Sequence, residues 1–364
     1  MTSTPGPAES VRIRAALDAV PAYIPGKPAA APPGITAYKL SSNENPYPPL
    51  DSVRRVIDKT VDVVNRYPDM ASVDLIAAIA AFVGVAPENI AVGTGSVGVL
   101  GQIVQAMCDA GDEVVYAWRS FEAYPIVTAI AGATAVPVPV DADARHRLDA
   151  MAAAVTARTK VVIVCTPNNP TGTSVHRAEL DTFLAAVPRD VLVVIDEAYV
   201  EFLRDPDAPD AIAAWRANPN VMVLRTFSKA YGLAGLRVGY AVAHPTVAAA
   251  LRKTAVPFGV NSIAQAAAIA SLQAQDELMA RVAAIVAERE RVVTALEQQG
   301  WQPSRSEANF VWFPLGADGT AFSAACADAG LTVRQYGDDG VRVTIGETEA
   351  NDRLVEVARA FGPR

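Results

Sequence analysis

The chain has 364 residues, 51% hydrophobic and 19% charged, enough apolar material for a large core and about two domains of roughly 100–200 residues each. Its 31 Lys and Arg stand against 39 Asp and Glu, a net charge of −8. That balance argues against a nucleic-acid or anionic-membrane surface, where phosphates demand excess positive charge, although a small cationic pocket is compatible with it.

In chain order, the first fifty residues are loop-like, because Pro21, Pro25, Pro28, Pro32, Pro33, Pro46, Pro48 and Pro49 block long helices. Residues 74–84 read as a helix with Leu75, Ile79 and Phe82 on one face, closed by Gly84, and 97–110 as another. Short β-branched runs then recur at 89–92, 113–116, 134–140, 160–165, 191–195, 221–225 and 238–243, with helix-period segments such as 177–187 and 211–217 among them. The runs are nearly unbroken apolar, as strands covered on both faces must be. Their alternation with helices indicates an α/β fold built on a mainly parallel sheet flanked by helices. After Pro257 the texture changes. Residues 262–298 are largely helical, and short strands at 309–313, 331–334 and 341–345 with helices at 319–329 and 347–361 form a smaller α+β unit. The expected division is a large domain over 38–257 and a small one from 258–364 joined by 1–37.

No apolar run reaches the roughly 20 residues of a membrane helix, and residues 1–10 lack the basic-then-apolar order of a signal peptide. Cys108, Cys165 and Cys326 are far apart, which suggests buried free thiols in a reducing compartment rather than a metal pair. His146, His176 and His244 sit beside polar or helix-start residues and are expected on the surface, so neither a zinc site nor a histidine triad is expected. The expectation is a soluble cytoplasmic protein without a metal.

Gly93-Thr94-Gly95-Ser96-Val97-Gly98 spells a dinucleotide-binding fingerprint between a strand and a helix. That reading also needs an acid at the end of the next strand, but Asp112 and Glu113 lie at its beginning and Ala117-Trp118 at its end. A dinucleotide is therefore disfavoured, while glycine-exposed N–H groups at a helix start still suit a phosphate.

Four segments follow predicted parallel strands, where ligands collect in such sheets. They are Thr166-Pro167-Asn168-Asn169-Pro170-Thr171-Gly172, Asp196-Glu197-Ala198-Tyr199, Thr226-Phe227-Ser228-Lys229 and Gly235-Leu236-Arg237. With Ser42-Asn43-Glu44-Asn45-Pro46-Tyr47, Asn65-Arg66-Tyr67-Pro68, Ser306-Glu307-Ala308-Asn309-Phe310 and Val341-Arg342-Val343, they make a chain that resembles the fold type I, pyridoxal-phosphate-dependent aminotransferases. The nearest branch holds histidinol-phosphate and aromatic amino acid aminotransferases, and the resemblance runs from Tyr23 to Gly346.

The resemblance implies a seven-stranded sheet in the large domain, pyridoxal 5'-phosphate as cofactor, and a homodimer acting on amino acids and 2-oxo acids. It makes Lys229 the Schiff-base lysine and proton shuttle, Asp196 the partner of the pyridine nitrogen, and Tyr199 with Asn169 the donors to the ring oxygen. Gly95, Ser96, Thr226, Ser228 and Arg237 would hold the cofactor phosphate, with Val97 beside them at the cofactor and Tyr67 joining from the other subunit. Phe121 would stack on the cofactor face, and Arg342 would clamp the substrate carboxylate. The Asn169–Pro170 bond is a candidate cis bond.

Side-chain recognition separates the subgroups. Val97-Gly98 stands where histidinol-phosphate enzymes usually carry an acid, and Arg119-Ser120-Phe121-Glu122-Ala123-Tyr124-Pro125 departs from their tyrosine-rich pattern. These departures, with Tyr23-Ile24-Pro25-Gly26-Lys27, look more like the aromatic subgroup. Tyr23, Val97 and Phe258 would line an apolar pocket for a phenyl ring. Arg334 sits where the family can bind a substrate phosphate, which keeps histidinol-phosphate transamination as the alternative. An amino-acid-phosphate decarboxylase or a non-catalytic binding protein are the remaining readings.

Overall fold

The β-branched runs assemble into a seven-stranded sheet in the computed structural model, which describes residues 28–363 together with Arg14, Leu17, Val20 and Gly26. Expectations resting on residues 1–10 and on Tyr23, Ile24, Pro25 and Lys27 lie outside the described residues. The strands are β1 (Tyr38–Lys39), β2 (Ile90–Gly93), β3 (Glu113–Trp118), β4 (Thr134–Pro139), β5 (Thr159–Cys165), β6 (Leu192–Asp196), β7 (Val221–Thr226), β8 (Gly239–Val242), β9 (Phe310–Phe313), β10 (Leu331–Thr332), β11 (Arg334–Tyr336) and β12 (Gly340–Thr344). The helices are α1 (Asp51–Val61), α2 (Val73–Val83), α3 (Gly95–Met107), α4 (Ala123–Ala131), α5 (Leu148–Ala153), α6 (Arg177–Ala186), α7 (Ala211–Ala217), α8 (Pro245–Thr254), α9 (Ser262–Gln273), α10 (Gln275–Gln298), α11 (Gly319–Asp328) and α12 (Thr348–Phe361).

The large sheet has the order β2-β8-β7-β6-β5-β3-β4, parallel throughout except for β8, which is antiparallel to both β7 and β2. Side chains alternate along a strand, so every buried run is shared between two cores. Val162, Val164, Val193 and Ile195 join the core with α6, α9 and α10, while Val161, Ile163, Leu192 and Val194 join the core with α3 and α8. Each such valine or isoleucine contributes about 1.5–3 kcal/mol by leaving water. This double coverage is why the sequence shows continuous apolar runs rather than alternation. β11, β12 and β9 form a separate antiparallel sheet, and β1 pairs with β10. No helix among the described residues is long and apolar enough to cross a membrane.

Four expectations need correction. The run 331–334 is not one strand: it breaks at Val333, because β10 pairs with β1 and β11 pairs with β12. Phe82 shares a helical stripe with Leu75 and Ile79, but it sits in the last turn before Gly84 and is 42% exposed, so the stripe outruns the core. His146 is buried, not on the surface, and burial pulls its pKa down to about 4, which keeps the ring neutral. Cys108 is half-buried, whereas Cys165 and Cys326 are buried as expected.

Candidate active site

Strand direction gathers the site. β5, β6 and β7 are parallel, so Cys165, Asp196 and Thr226 finish at one edge of the sheet. The antiparallel β8 begins at that edge with Gly239, just after Arg237. β2, reversed again, ends there at Gly93, immediately before Gly95 and Ser96. The cavity at this edge is lined by Lys229, Asp196, Tyr199, Asn169 and Arg237, and by Ser96, Val97, Phe121, Thr226 and Ser228. Arg334, Tyr336 and Arg342 enter it from β11 and β12.

Lys229 is half-buried, and its ammonium donates to the carbonyl of Ser42 at 2.9 Å. Burial and the positive charge of Arg342 bring its pKa from the usual 10.5 down to about 7. An amine in that state is available as a nucleophile and as a proton carrier near neutral pH.

Asp196 closes β6 as a fully buried carboxylate. Its Oδ2 accepts the hydroxyl hydrogen of Tyr124 at 2.8 Å, and its Oδ1 has no hydrogen-bond partner among the described residues. Burial pushes the carboxyl up to about 6, against the opposing pull of the Tyr124 hydrogen bond. A cation facing Oδ1 would hold it ionised. The Tyr199 hydroxyl accepts from Asn43 Nδ2 at 2.8 Å, which leaves the phenolic hydrogen to donate elsewhere. Burial raises the Tyr199 phenol well above its ordinary range, so it stays protonated.

Gly95 and Arg237 form a cradle. Gly95 has φ +78°, and a Cβ placed on it would lie 2.4 Å from Arg237 Nη2, so only glycine lets the guanidinium approach the start of α3. Arg237 donates through Nη1 to Ser228 Oγ at 3.3 Å and to the Ala234 carbonyl at 2.8 Å. Thr226 Oγ1 accepts from the Ser228 N–H at 3.1 Å. Gly239 serves the same cradle, since a Cβ there would lie 2.4 Å from the Ser96 nitrogen. Hydroxyls, a guanidinium and a helix N-terminus converge, which is the donor set of an anion site.

Arg342 is buried. It donates to Asn169 Oδ1 and to the Ser41 carbonyl, both neutral acceptors, and its Nε has no hydrogen-bond partner among the described residues. Arg334 is its direct partner across the β11–β12 ladder, and it is ion-paired with Glu122 at 2.7 Å. The Asn169–Pro170 and Thr166–Pro167 bonds are both cis.

Two sequence candidates stand apart from this cavity. Tyr67 is 81% exposed and packs against Phe258 with ring centroids 4.6 Å apart. Phe258 is therefore not part of the cavity lining in this chain, contrary to expectation: it turns outward on a backbone with φ +58°. Tyr23 lies outside the described residues. Sequence reasoning assigned no role to Tyr124, Asn43, Glu122 or Tyr336. Asn43 carried a signal, because asparagine next to proline-rich loop tolerates the left-handed backbone it adopts here at φ +54°. Tyr124 carried none, since its surroundings read as an ordinary helix start.

Comparison with known proteins agrees with this geometry. The model of a family described as aminotransferase class I and II matches residues 36–357. A protein of Streptomyces avermitilis named aromatic amino acid aminotransferase is 59% identical over 352 residues, covering 97% of this chain and 98% of that one. One of the same name from Mycolicibacterium smegmatis is 52% identical over 361 residues, with 98% of each chain covered. The crystal structure of histidinol-phosphate aminotransferase from Sinorhizobium meliloti in complex with pyridoxal-5'-phosphate matches with a TM-score of 0.87 at 30% identity, over 98% of this chain and 100% of that one. The Thermus thermophilus aspartate aminotransferase with maleate shares the fold, at a TM-score of 0.79 and 23% identity over 90% of this chain and 92% of that one. With a family model spanning most of its length and relatives more than half identical almost end to end, the chain belongs to the aminotransferase class I and II family.

Proposed function

We propose that the chain is a pyridoxal-phosphate-dependent transaminase that moves an amino group between an aromatic amino acid (Phe, Tyr or Trp) and 2-oxoglutarate. The observation that carries this reading is the meeting, in one cavity, of a half-buried amine with a lowered pKa, a carboxylate with one open oxygen and an arginine held by neutral acceptors. The relatives named aromatic amino acid aminotransferase supply the substrate class.

The residues fit the cofactor. Asp196 Oδ1, an acceptor with no donor among the described residues, would be satisfied by a protonated ring nitrogen. The cradle of Gly95, Ser96, Thr226, Ser228 and Arg237 offers donors to a phosphate, and Phe121 offers an aromatic face. The bound group would supply an electron sink for the pair released when the substrate Cα–H bond breaks.

The chain's own groups do the rest. Lys229 would anchor the cofactor through Nζ and, once freed by the incoming amine, take and return the Cα proton. Asp196 would hold the ring nitrogen cationic, a task for a carboxylate and not for an amide. Asn169 accepts from Arg342 through its oxygen, so its NH2 end is the one left to donate to the ring oxygen beside Tyr199. Arg342 would grip the α-carboxylate as a two-pronged fork, fixing the Cα–H bond for removal and favouring transamination over loss of CO2. Val97, with Tyr23, would meet the substrate ring.

In this reading residues 38–257 form the cofactor domain, with 1–37 and 258–364 as the small domain. Tyr67, exposed in a single chain, completes the phosphate site of a second copy, giving a homodimer. A reducing cytoplasm suits the three unpaired cysteines. Histidinol-phosphate transamination is the second reading, favoured by Arg334 in the cavity wall. The test is kcat/KM for phenylalanine and for histidinol phosphate, with 2-oxoglutarate as acceptor and absorbance following the cofactor. A clear preference for phenylalanine is expected; a hundredfold preference for the phosphate would overturn the substrate assignment.

A further inference from the structure

Two arginines share one wall of the cavity. Arg334 and Arg342 are cross-strand partners, so their side chains leave the small sheet on the same face, and each guanidinium carbon lies 5.5 Å from the centre of the Tyr336 ring. Like charges placed opposite each other need compensation. Arg334 receives it from Glu122 at 2.7 Å, in a pair whose side chains are only 11% and 27% exposed. Among the described residues Arg342 has no carboxylate partner: its hydrogen bonds go to the amide oxygen of Asn169 and the carbonyl of Ser41. Glu122 is the residue preceding α4, and its side chain caps no N–H of that helix, so the carboxylate is left to Arg334.

We propose that Glu122 is a specificity-determining residue that occupies Arg334 and thereby leaves a single arginine for the anion carried on the substrate Cα. This rests on the transaminase reading above. An α-amino acid presents one carboxylate there, with one negative charge, and Arg342 alone matches it. Histidinol phosphate presents a longer phosphomethyl arm with about two negative charges, which calls for both arginines. To bind it, the protein must detach Glu122 from Arg334 or hold a dianion beside a carboxylate, and each costs affinity. Arg334, which by itself reads as a phosphate ligand, is thus withheld by a residue two positions from Ser120 on the facing loop. The device excludes the phosphorylated substrate through an added negative charge and does not require the loss of the arginine.

The experiment uses holoenzyme of the native chain, of Glu122→Gln and Glu122→Ala, and of Glu122→Gln combined with Arg334→Gln. Steady-state kcat/KM is measured with phenylalanine and with histidinol phosphate, and histidinol phosphate is also titrated as an inhibitor of phenylalanine turnover. Both single variants should raise the phosphate-to-phenylalanine ratio of kcat/KM by about thirtyfold or more, with a gain in the phosphate value itself. Inhibition by histidinol phosphate should tighten in parallel, and the Arg334→Gln addition should cancel the gain. If neither single variant raises the phosphate value while the native enzyme prefers phenylalanine, the filter is wrong and the transaminase reading stands. An equal loss with both substrates would likewise overturn it, by making Glu122 a structural residue. A native enzyme that already prefers the phosphate a hundredfold would overturn the aromatic assignment and the filter together.

Discussion

Arg334 and Arg342 face each other across one rung of the β11–β12 ladder, yet among the described residues only Arg334 carries a carboxylate partner. The buried Arg342 is desolvated and held by neutral oxygens, a state that a substrate carboxylate would relieve.

Replacing Arg342 by Ala should therefore remove two charge-assisted hydrogen bonds to every substrate that has an α-carboxylate. The expected loss is about 3–5 kcal/mol, or roughly 10²–10⁴-fold in kcat/KM, for amino acid and 2-oxo acid alike. Arg342→Lys should recover little, because a point charge cannot reproduce the fork. Steady-state kinetics in both half-reactions check this. A defect confined to one substrate would show that Arg342 does not hold the group they share.

Gly95 supports a sharper statement about the phosphate cradle. Gly95→Ala combines an unfavourable φ of +78° with a contact of 2.4 Å to Arg237 Nη2. Affinity for pyridoxal phosphate should fall about tenfold or more, since the guanidinium must retreat from the anion it serves. Gly34→Ala is the control: its φ is +85° but nothing lies within 4 Å, so it carries the strain without the displacement. Absorbance titration of the cofactor into both variants separates the two effects. Equal affinities would rule out the cradle as described.

Much of this was legible from the chain alone, and the physical reason differs from place to place. Val161–Val164 announced a strand because covering both sides of a sheet leaves no room for polar residues, and that constraint acts locally. Lys229, Asp196, Asn169, Arg237 and Arg342 could be picked out because their motifs sit at strand ends. Their mutual distances could not, because these are set by the reversal of β8, which no local pattern encodes. Tyr124 and Glu122 were invisible as functional residues for a related reason. A tyrosine and a glutamate near a helix start have ordinary roles, and only the fold brings them to Asp196, 72 residues away, and to Arg334, 212 away. His146 misled in the opposite direction: a polar neighbourhood in sequence became a buried one in space.

The lowered pKa of Lys229 has a consequence for the stability of the cofactor-free protein. Its folded value of about 7 lies below the ordinary 10.5, so between these limits the unfolded chain binds more protons than the folded one. Stability should rise with pH across that window through this group, by at most about 1.4 kcal/mol per pH unit, and below pH 7 the full cost of burying the charge is present. Lys229→Met should abolish this contribution and raise stability near pH 7, while turnover of the reconstituted variant falls to background. Urea unfolding of both apo-proteins from pH 7 to pH 10 gives the two slopes. Parallel slopes would mean that the amine is not desolvated as the structure has it.

Tyr67 allows the shared site to be tested without any structure of the assembly. It is 81% exposed and packed against Phe258, clear of its own chain's cavity, whereas Lys229 lies inside that cavity. If Tyr67 serves the partner's phosphate, Tyr67→Ala and Lys229→Ala damage each site from different chains. A hybrid of the two variants then contains one site with both residues intact and one with neither. Both homodimers should be impaired, Lys229→Ala fully and Tyr67→Ala through weaker cofactor binding. Equal mixing after mild denaturation should give about half hybrids, each with one working site of two, and hence about a quarter of native activity at limiting cofactor. Activity that equals only the average of the two parents would place Tyr67 and Lys229 in the service of the same chain and refute the shared site.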